Sequence, residues 1–477
     1  MIRGYPSRAS VFPGGRLVLH VATDAARFRV RFYRWDEHCV PMMDSAWLAG
    51  RDAAPRGAAE DWDWPAYAFT IPGDWPSAVY IAHLDDGSTR IDTALTSAAA
   101  LFVVRGSGHS ALLYKIPLAT YHAYNCSGGG CFYVDPPHSQ QPPGARVSLR
   151  RPGGGIGGET WGALDWYDDG SPRQTFAHWD ARFIRWLRRQ GLDAEFCTDL
   201  DLYEDASLCR RHRLLLSVGH DEYWSEQARD QVEAFVAAGG NVAFFGANVC
   251  WWRIHVVDGG SAMVCHQGGP HGAHDHWWPQ SGAGRPEDAM SGVSYRHGGG
   301  WWDGPRETTG YLVQDAGHRI FSGTGLRNGD AFGATTSPPL VGYECDGAPL
   351  DRFDAATGRA QLAADAKQCG TPDGYRLLAA APLDARWQEL PPREHHAAGQ
   401  GVHAATMGVY RRNGIVFSAG TTDWAQVLGS GQDARVDLIT RNVIDWLLEE
   451  QEPEGEGTRR LHDGTAAAAA VPKRCQR

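Results

Sequence analysis

His220-Asp221-Glu222-Tyr223-Trp224 crowds three ionisable side chains and a phenol into five residues. Imidazole moves protons near neutral pH, and a carboxylate can ligate a metal or act as an acid–base group. Asn248 adds a side-chain amide. His220 and Glu222 stand two residues apart in an extended turn and can face one cavity. The same residues also fit a hydrogen-bonded structural turn in which His and Asp fix backbone groups.

The elements around these residues explain how they would be presented. The apolar run from Leu214 to Gly219 reads as a buried strand, followed by an amphipathic helix from near Ser225 to Gly239-Gly240. A second strand runs from Asn241 to Gly246. Such a β-α-β unit makes its strands parallel with a right-handed crossover. It places His220, Glu222 and Asn248 at the carboxyl edge, where open α/β sheets bind ligands. Further alternation continues the pattern: strands at Ala111 to Ile116 and Asp193 to Cys197, helices at Gln174 to Gln190 and Ala206 to His212, two strands within Val402 to Ala419, and a closing helix from Gln432 to Glu450. The expected fold class is α/β, a doubly wound, mostly parallel, amidotransferase-like sheet.

Residues 1–105 read differently. Arg16 to Thr23, Arg27 to Trp35, Tyr67 to Ile71, Ala78 to Leu84 and Leu101 to Val104 are β-branched or alternating runs between Pro, Gly and Asp turns. They suggest an N-terminal β-sandwich. The expected organisation is thus a sandwich over 1–105, an α/β catalytic domain over 106–450 and a disordered tail over 451–477. Within the second domain, Asn125 to Arg173 and His255 to Arg306 read as long loops of the kind that form lids or site walls.

Bulk properties narrow the function classes. The 477 residues allow two or three domains. A net charge of −11 argues against general nucleic-acid binding. No run of 18 or more apolar residues marks a membrane span, and Met1 to His20 has early arginines without an apolar signal core. Ten scattered cysteines fit reduced thiols, and a cytoplasmic location is expected. Cys126 and Cys131 lack a second pair at zinc-finger spacing. The 19 tryptophans, several in pairs, are read as anchors for irregular segments rather than a sugar-binding surface.

Other motifs carry less. Gly153 to Gly158 resembles a phosphate loop but lacks a preceding strand, a following helix and a Lys-Ser/Thr. No G-x-S-x-G elbow occurs. His255, His266, His271, His274 and His276 form a loose cluster whose spacing matches no closed metal site, so it is read as a solvated loop.

Several stretches together resemble a known family: Thr120-Tyr-His-Ala-Tyr-Asn125 with Gly128-Gly129, Phe183-Ile-Arg-Trp-Leu187, Thr198-Asp-Leu-Asp-Leu202, Ser217-Val-Gly-His-Asp-Glu-Tyr-Trp-Ser225, Ala243-Phe-Phe-Gly-Ala-Asn248 and Asn413-Gly-Ile-Val-Phe-Ser418 to Thr421-Thr-Asp-Trp424. They are similar to the large (beta) subunit of N,N-dimethylformamidase over most of residues 70–450. The resemblance implies an amidohydrolase with mononuclear ferric iron held by two tyrosines and one glutamate, beside a histidine and an asparagine. Carried over, Glu222 is the carboxylate ligand, Tyr124 (or Tyr121) one phenolate and Tyr80 the other. His220 and Asn248 are the neighbouring catalytic groups. The family's enzyme also has a longer N-terminal region and a separate small subunit. Many relatives have an acidic residue where Thr406 stands.

The implied site is chemically coherent. Two phenolates and a carboxylate suit ferric iron better than a soft metal. Open coordination positions would let iron polarise an amide carbonyl and lower the pKa of bound water. His220 would move protons and Asn248 would face the oxyanion. The expected substrate is a small amide-like molecule, with no nucleic-acid or membrane partner and with room for a homo-oligomer. Two other functions stay open: another reaction at the same iron centre, and a non-catalytic ligand-binding protein on an amidotransferase-like scaffold.

Overall fold

The structure is a computed structural model. It describes the chain apart from residues 92–97, 134–144, 162–163, 268–273, 279–281, 303, 308–309, 385, 388–401 and 450–477. The expected tail and His271 lie outside the described residues.

The first hundred residues form two sheets. Ile2–Pro6, Arg16–Thr23 and Ala66–Thr70 make an antiparallel sheet of three strands. Ser10–Val11, Ala99–Val104, Ala78–Asp85, Arg27–Trp35 and Cys39–Asp44 make the other, with Leu48–Ala49 also paired to Arg27–Trp35. Alternation decides the packing: Leu17, Leu19 and Val21 from one sheet meet Phe28, Val30 and Phe32 from the other. Ala78–Asp85 is buried along its whole length. Its even positions, Ala78, Tyr80, Ala82 and Leu84, enter this inner core. Its odd positions, Val79 and Ile81, pack with Leu112, Tyr114 and Ile116 of the central sheet. Trp35 reinforces that contact by donating from Nε1 to the Ala181 carbonyl at 2.9 Å.

The central sheet has nine strands in the order Glu195–Thr198, Leu112–Ile116, Leu214–His220, Asn241–Ala247, Ile415–Ser418, Ala404–Arg411, Arg376–Pro382, Tyr311–Val313 and Ala331–Phe332. The first five are parallel neighbours. The rest pair antiparallel. Leu214–His220 and Asn241–Ala247 are buried throughout, as continuous apolar runs covered on both faces must be. The helix Glu226–Ala237 starts where Ser225 Oγ accepts from the Ala228 amide at 3.2 Å. It buries Ala228, Val232, Phe235 and Val236.

Two expectations need correction. The helix expected over 174–190 begins only at Asp180. Gln174 has φ 64°, a left-handed conformation incompatible with a helical start there. The stretches read as loops contain strands: Arg146–Ser148, Ala262–Val264 and Trp252–Val257 join Tyr223–Ser225 in a small sheet. A second pair joins Ser294–Gly300 to Glu344–Gly347.

Beneath the carboxyl edge, Lys115 Nζ meets Asp221 Oδ2 at 2.5 Å with both side chains 1% exposed. Nζ also sits 4.4 Å above the Trp224 ring, and Ser217 Oγ donates to the same carboxylate at 2.5 Å. Removing one partner of such a pair strands the other charge. Lys115→Met is expected to destabilise the fold by about 3–5 kcal/mol, read as a lowered denaturation midpoint with an unchanged slope.

Candidate functional site

The strand Leu214–His220 reaches the carboxyl edge in register with Asn241–Ala247, His220 opposite Ala247. The two strands close in tightly: a Cβ on Gly246 would lie 2.2 Å from the Gly219 carbonyl oxygen, so only glycine fits. Asn248 then turns with φ 51°, a conformation asparagine tolerates better than most residues. Asp346 fixes that turn, accepting from the Asn248 and Val249 amides at 2.8 and 3.1 Å. Burial pushes the Asp346 carboxyl up to about 8, against the pull of those two amides.

The next turn is set from below. Thr120 Oγ1 accepts from the amides of Glu222 and Tyr223 at 3.0 and 3.2 Å. Thr120 lies in the short helix Leu118–Ala123, whose C-cap is Tyr124. One buried hydroxyl therefore ties the Tyr124 segment to the Glu222 segment.

Three acidic groups converge there. The Tyr124 hydroxyl donates to Glu222 Oε2 at 2.7 Å. The Tyr133 hydroxyl lies 2.9 Å from the Tyr124 hydroxyl and 3.1 and 3.2 Å from the two Glu222 oxygens. Tyr223 donates to the Tyr133 hydroxyl at 2.6 Å. The Tyr124 and Tyr133 rings stack at 4.5 Å, and Trp161 stacks on Tyr133 at 5.0 Å.

A second group adjoins the first. His220 Nε2 lies 2.8 Å from Glu344 Oε2 and 3.4 Å from Glu222 Oε2. His220 Nδ1 lies 2.7 Å from Gln174 Oε1. Glu344 also accepts from Asn248 Nδ2 at 3.0 Å and from Trp302 Nε1 at 3.2 Å. The buried Oδ1 of Asn248 has no hydrogen-bond partner among the described residues.

Burial governs the electrostatics. It raises Tyr124 and Tyr133 well above an ordinary phenol, and the Glu222 charge raises them further. It also pushes Glu222 up to about 7, with His220 opposing and Glu344 adding to the rise. For Glu344 burial is outweighed by the His220 charge and its hydrogen bonds, so this carboxyl lies below its ordinary value. His220 is likewise raised, burial being overcome by Glu344. Glu344 and His220 therefore behave as an ion pair. Glu222 shares that histidine only at the longer distance of 3.4 Å, and its carboxyl stays raised.

The structure brings together Tyr124, Glu222, His220 and Asn248, and leaves two of the tyrosines elsewhere. Tyr121 donates instead to Asp180, which also accepts from Tyr114 at 2.8 Å. Tyr80 is a correction. Its even position turns it into the inner core of the N-terminal sheets, where its ring stacks on Trp75 at 4.7 Å and its hydroxyl donates to the Pro76 carbonyl at 2.9 Å. The second phenol at Glu222 is Tyr133. Thr406 lies outside the group too, its hydroxyl accepting from the Ala348 amide at 2.7 Å. The second carboxylate is Glu344.

The donor chemistry fits a hard cation. Among the described residues no group of three or more His, Cys, Asp or Glu side chains is disposed to hold a metal. The phenol–phenol–carboxylate group has a different composition, and its oxygens stand 2.7–3.2 Å apart. Bonds of about 2 Å to one ion fit such oxygen separations. A cation would also offset the cost of burying three acidic groups together. The histidine cluster contrasts with it: His255 and His266 bond Asp275 at 3.0 and 2.9 Å and are 44% and 43% exposed.

Comparison with known proteins bears on this arrangement. The profile of the family described as N,N-dimethylformamidase beta subunit-like, C-terminal, matches residues 30–435. The N,N-dimethylformamidase beta subunit of Paracoccus aminophilus is 23% identical over 292 residues, covering 57% of this chain and 37% of that one. The beta subunit from an Alcaligenes species matches with the same identity and coverage. This chain thus spans well under half the length of those curated relatives. Among solved structures, a thua-like protein from Bacteroides uniformis superposes with a TM-score of 0.30 at 10% identity, over 76% of this chain and 94% of that one, and carries no argument. No helix among the described residues is long and apolar enough to cross a membrane.

Proposed function

We propose that this chain, which belongs to the N,N-dimethylformamidase beta subunit-like family, is an iron-dependent hydrolase of a small amide or related C–N bond. The observation that carries the reading is the convergence of Tyr124, Tyr133 and Glu222 within hydrogen-bond distance of one another, beside a His220–Glu344 ion pair. Tyr124, Tyr133 and Glu222 would hold ferric iron, which when bound supplies Lewis acidity to a carbonyl and lowers the pKa of water.

The remaining work falls to the chain's own groups. Glu344 accepts a proton from the attacking water, while His220, protonated in the ion pair, gives its Nε2 proton to the leaving group and is reprotonated from Glu344 across the 2.8 Å contact. Asn248 Nδ2 donates to Glu344 at 3.0 Å and lies 3.3 Å from His220 Nε2, and in this reading it donates to the oxyanion of the tetrahedral intermediate. Gln174, donating from Nε2 to the Tyr343 hydroxyl at 3.0 Å, keeps the His220 ring in plane. Trp161 stacks on Tyr133 at 5.0 Å, Trp302 bonds Glu344 and Tyr343 packs edge-on to His220 at 6.0 Å, aromatic surroundings that favour a small amide bearing apolar substituents. The relatives are named as beta subunits, which supports assembly with a further subunit or with copies of this chain.

The test is elemental analysis and a visible spectrum of the purified protein, followed by turnover on a panel of N-alkylated amides. Stoichiometric iron, a phenolate charge-transfer band and amine release are expected. Full turnover by metal-free protein overturns the reading. A paired substitution separates the two strand and loop tyrosines. Tyr133→Phe is expected to weaken iron binding and shift or bleach the band. Tyr80→Phe, which removes only a hydrogen bond to Pro76, is expected to keep both.

A further inference from the structure

We propose that Cys126 and Cys131 form a reversible dithiol–disulfide pair that sets the spacing of Tyr124 and Tyr133. The thiol chemistry stands on its own geometry, and its effect on the site rests on the iron reading above.

Each cysteine stands two residues inside one of the site phenols, as Tyr124-Asn-Cys126 and Cys131-Phe-Tyr133. The two sulfurs touch at 3.4 Å. They also grip the backbone of the phenols. Cys126 Sγ donates to the Tyr124 carbonyl at 3.6 Å and Cys131 Sγ to the Tyr133 carbonyl at 3.5 Å, and the Tyr133 amide returns a bond to Cys131 Sγ at 3.4 Å.

The chain between them is built to bring the cysteines together. The amides of Gly129 and Gly130 both donate to the Cys126 carbonyl, at 3.0 and 3.4 Å. Gly128 and Gly129 take φ of 90° and 75°, conformations that glycine adopts without strain. A Cβ on Gly128 would meet the Arg56 carbonyl oxygen at 2.5 Å, so the turn is seated against another segment. Zinc-type ligation needs more donors than this pair supplies. A cross-link needs only these two.

Both cysteines are buried, at 4% and 1% exposure, which selects a small oxidant, a peroxide. One sulfur attacks the peroxide, forming an S–O bond as the O–O bond breaks and releasing water. The other sulfur then displaces the hydroxyl of that sulfenic acid, forming the S–S bond and a second water. Two thiols and one hydrogen peroxide give one disulfide and two waters, with two electrons passing from sulfur to oxygen. An external thiol reverses the step by exchange. The new bond, about 2 Å long, draws the sulfurs closer than their present contact. It also deletes the S–H donors to both tyrosine carbonyls. Groups that orient metal ligands from behind are worth about 10–100-fold in affinity.

The experiment treats the reduced full chain with hydrogen peroxide, blocks remaining thiols with iodoacetamide and maps the peptides by mass. The expected product is two hydrogens lighter, cross-linked between 126 and 131, restored by dithiothreitol and lost in Cys126→Ser or Cys131→Ser. Oxidised protein is expected to lose iron to a chelator at about 10-fold lower chelator concentration. In the double serine variant peroxide should leave iron retention unchanged. The pair is refuted if both thiols stay alkylatable while other cysteines oxidise, or if they pass separately to sulfinic acids. A clean cross-link with unchanged iron retention overturns the coupling to the phenols. If neither form binds iron, the iron reading and that coupling both fall, while the peptide masses still decide the thiol pairing.

Discussion

Glu222→Ala is expected to lose iron and turnover together. Among the described residues Glu222 is the carboxylate bonded to both phenols, at 2.7 Å from Tyr124 and 3.1 Å from Tyr133. Without it two buried phenols with raised pKa values face each other, and nothing anionic remains between them to attract a cation. The fold should persist, because the backbone of Glu222 is tied to Thr120 through its amide and not through its side chain. The measurement is iron content beside amide hydrolysis and a thermal midpoint. A variant with full iron and normal turnover removes Glu222 from the metal, whereas an unfolded variant calls for Glu222→Gln, which keeps the shape and loses the charge.

Glu344→Gln should separate the two functions of the site. Glu344 lies 2.8 Å from His220 Nε2 and accepts from Asn248 and Trp302. No hydrogen bond joins it to Tyr124 or Tyr133 among the described residues. The amide can keep a carbonyl acceptor for Trp302 or Asn248 but cannot take a proton from water. Iron is therefore expected to stay while turnover falls about 10²–10⁴-fold. Loss of iron equal to that of Glu222→Ala would place Glu344 among the ligands. Unchanged turnover would remove it from proton transfer.

The parts of this site legible in the sequence are those carried by local pattern. The run Leu214 to Gly219 and the strand from Asn241 were readable because both are mostly apolar, with Ser217 the one polar residue inside the first, and are bounded by glycine or polar residues. Their parallel pairing then placed His220, Glu222 and Asn248 at one edge. Ser225 marked the helix start as an N-cap. Tyr80 was misplaced because strand parity is invisible until both faces of Ala78–Asp85 are known to be covered. A strand with one open face would have shown which positions were polar. Tyr133 was missed inside a Gly- and Pro-rich stretch without periodicity, where a Phe-Tyr pair next to a cysteine was the only signal. Glu344 had none. It comes from a strand paired with Ser294–Gly300, and its approach to His220 is a long-range contact that no spacing encodes. The same holds for Gln174, whose left-handed backbone cut short the helix that periodicity had drawn through it.

The parallel pairing of Asn241–Ala247 with Ile415–Ser418 has a consequence for synthesis. Val242 aligns with Val416 and Phe244 with Ser418. Everything that supplies Glu344 lies between those strands in the chain. A polypeptide emerging from the ribosome therefore completes the tyrosine–Glu222 half of the site first. Until Ile415 follows, the Asn241–Ala247 strand presents an open, apolar edge. Such edges recruit other chains. Fragments ending before Ile415 are thus expected to clump on that edge rather than persist as soluble half-sites.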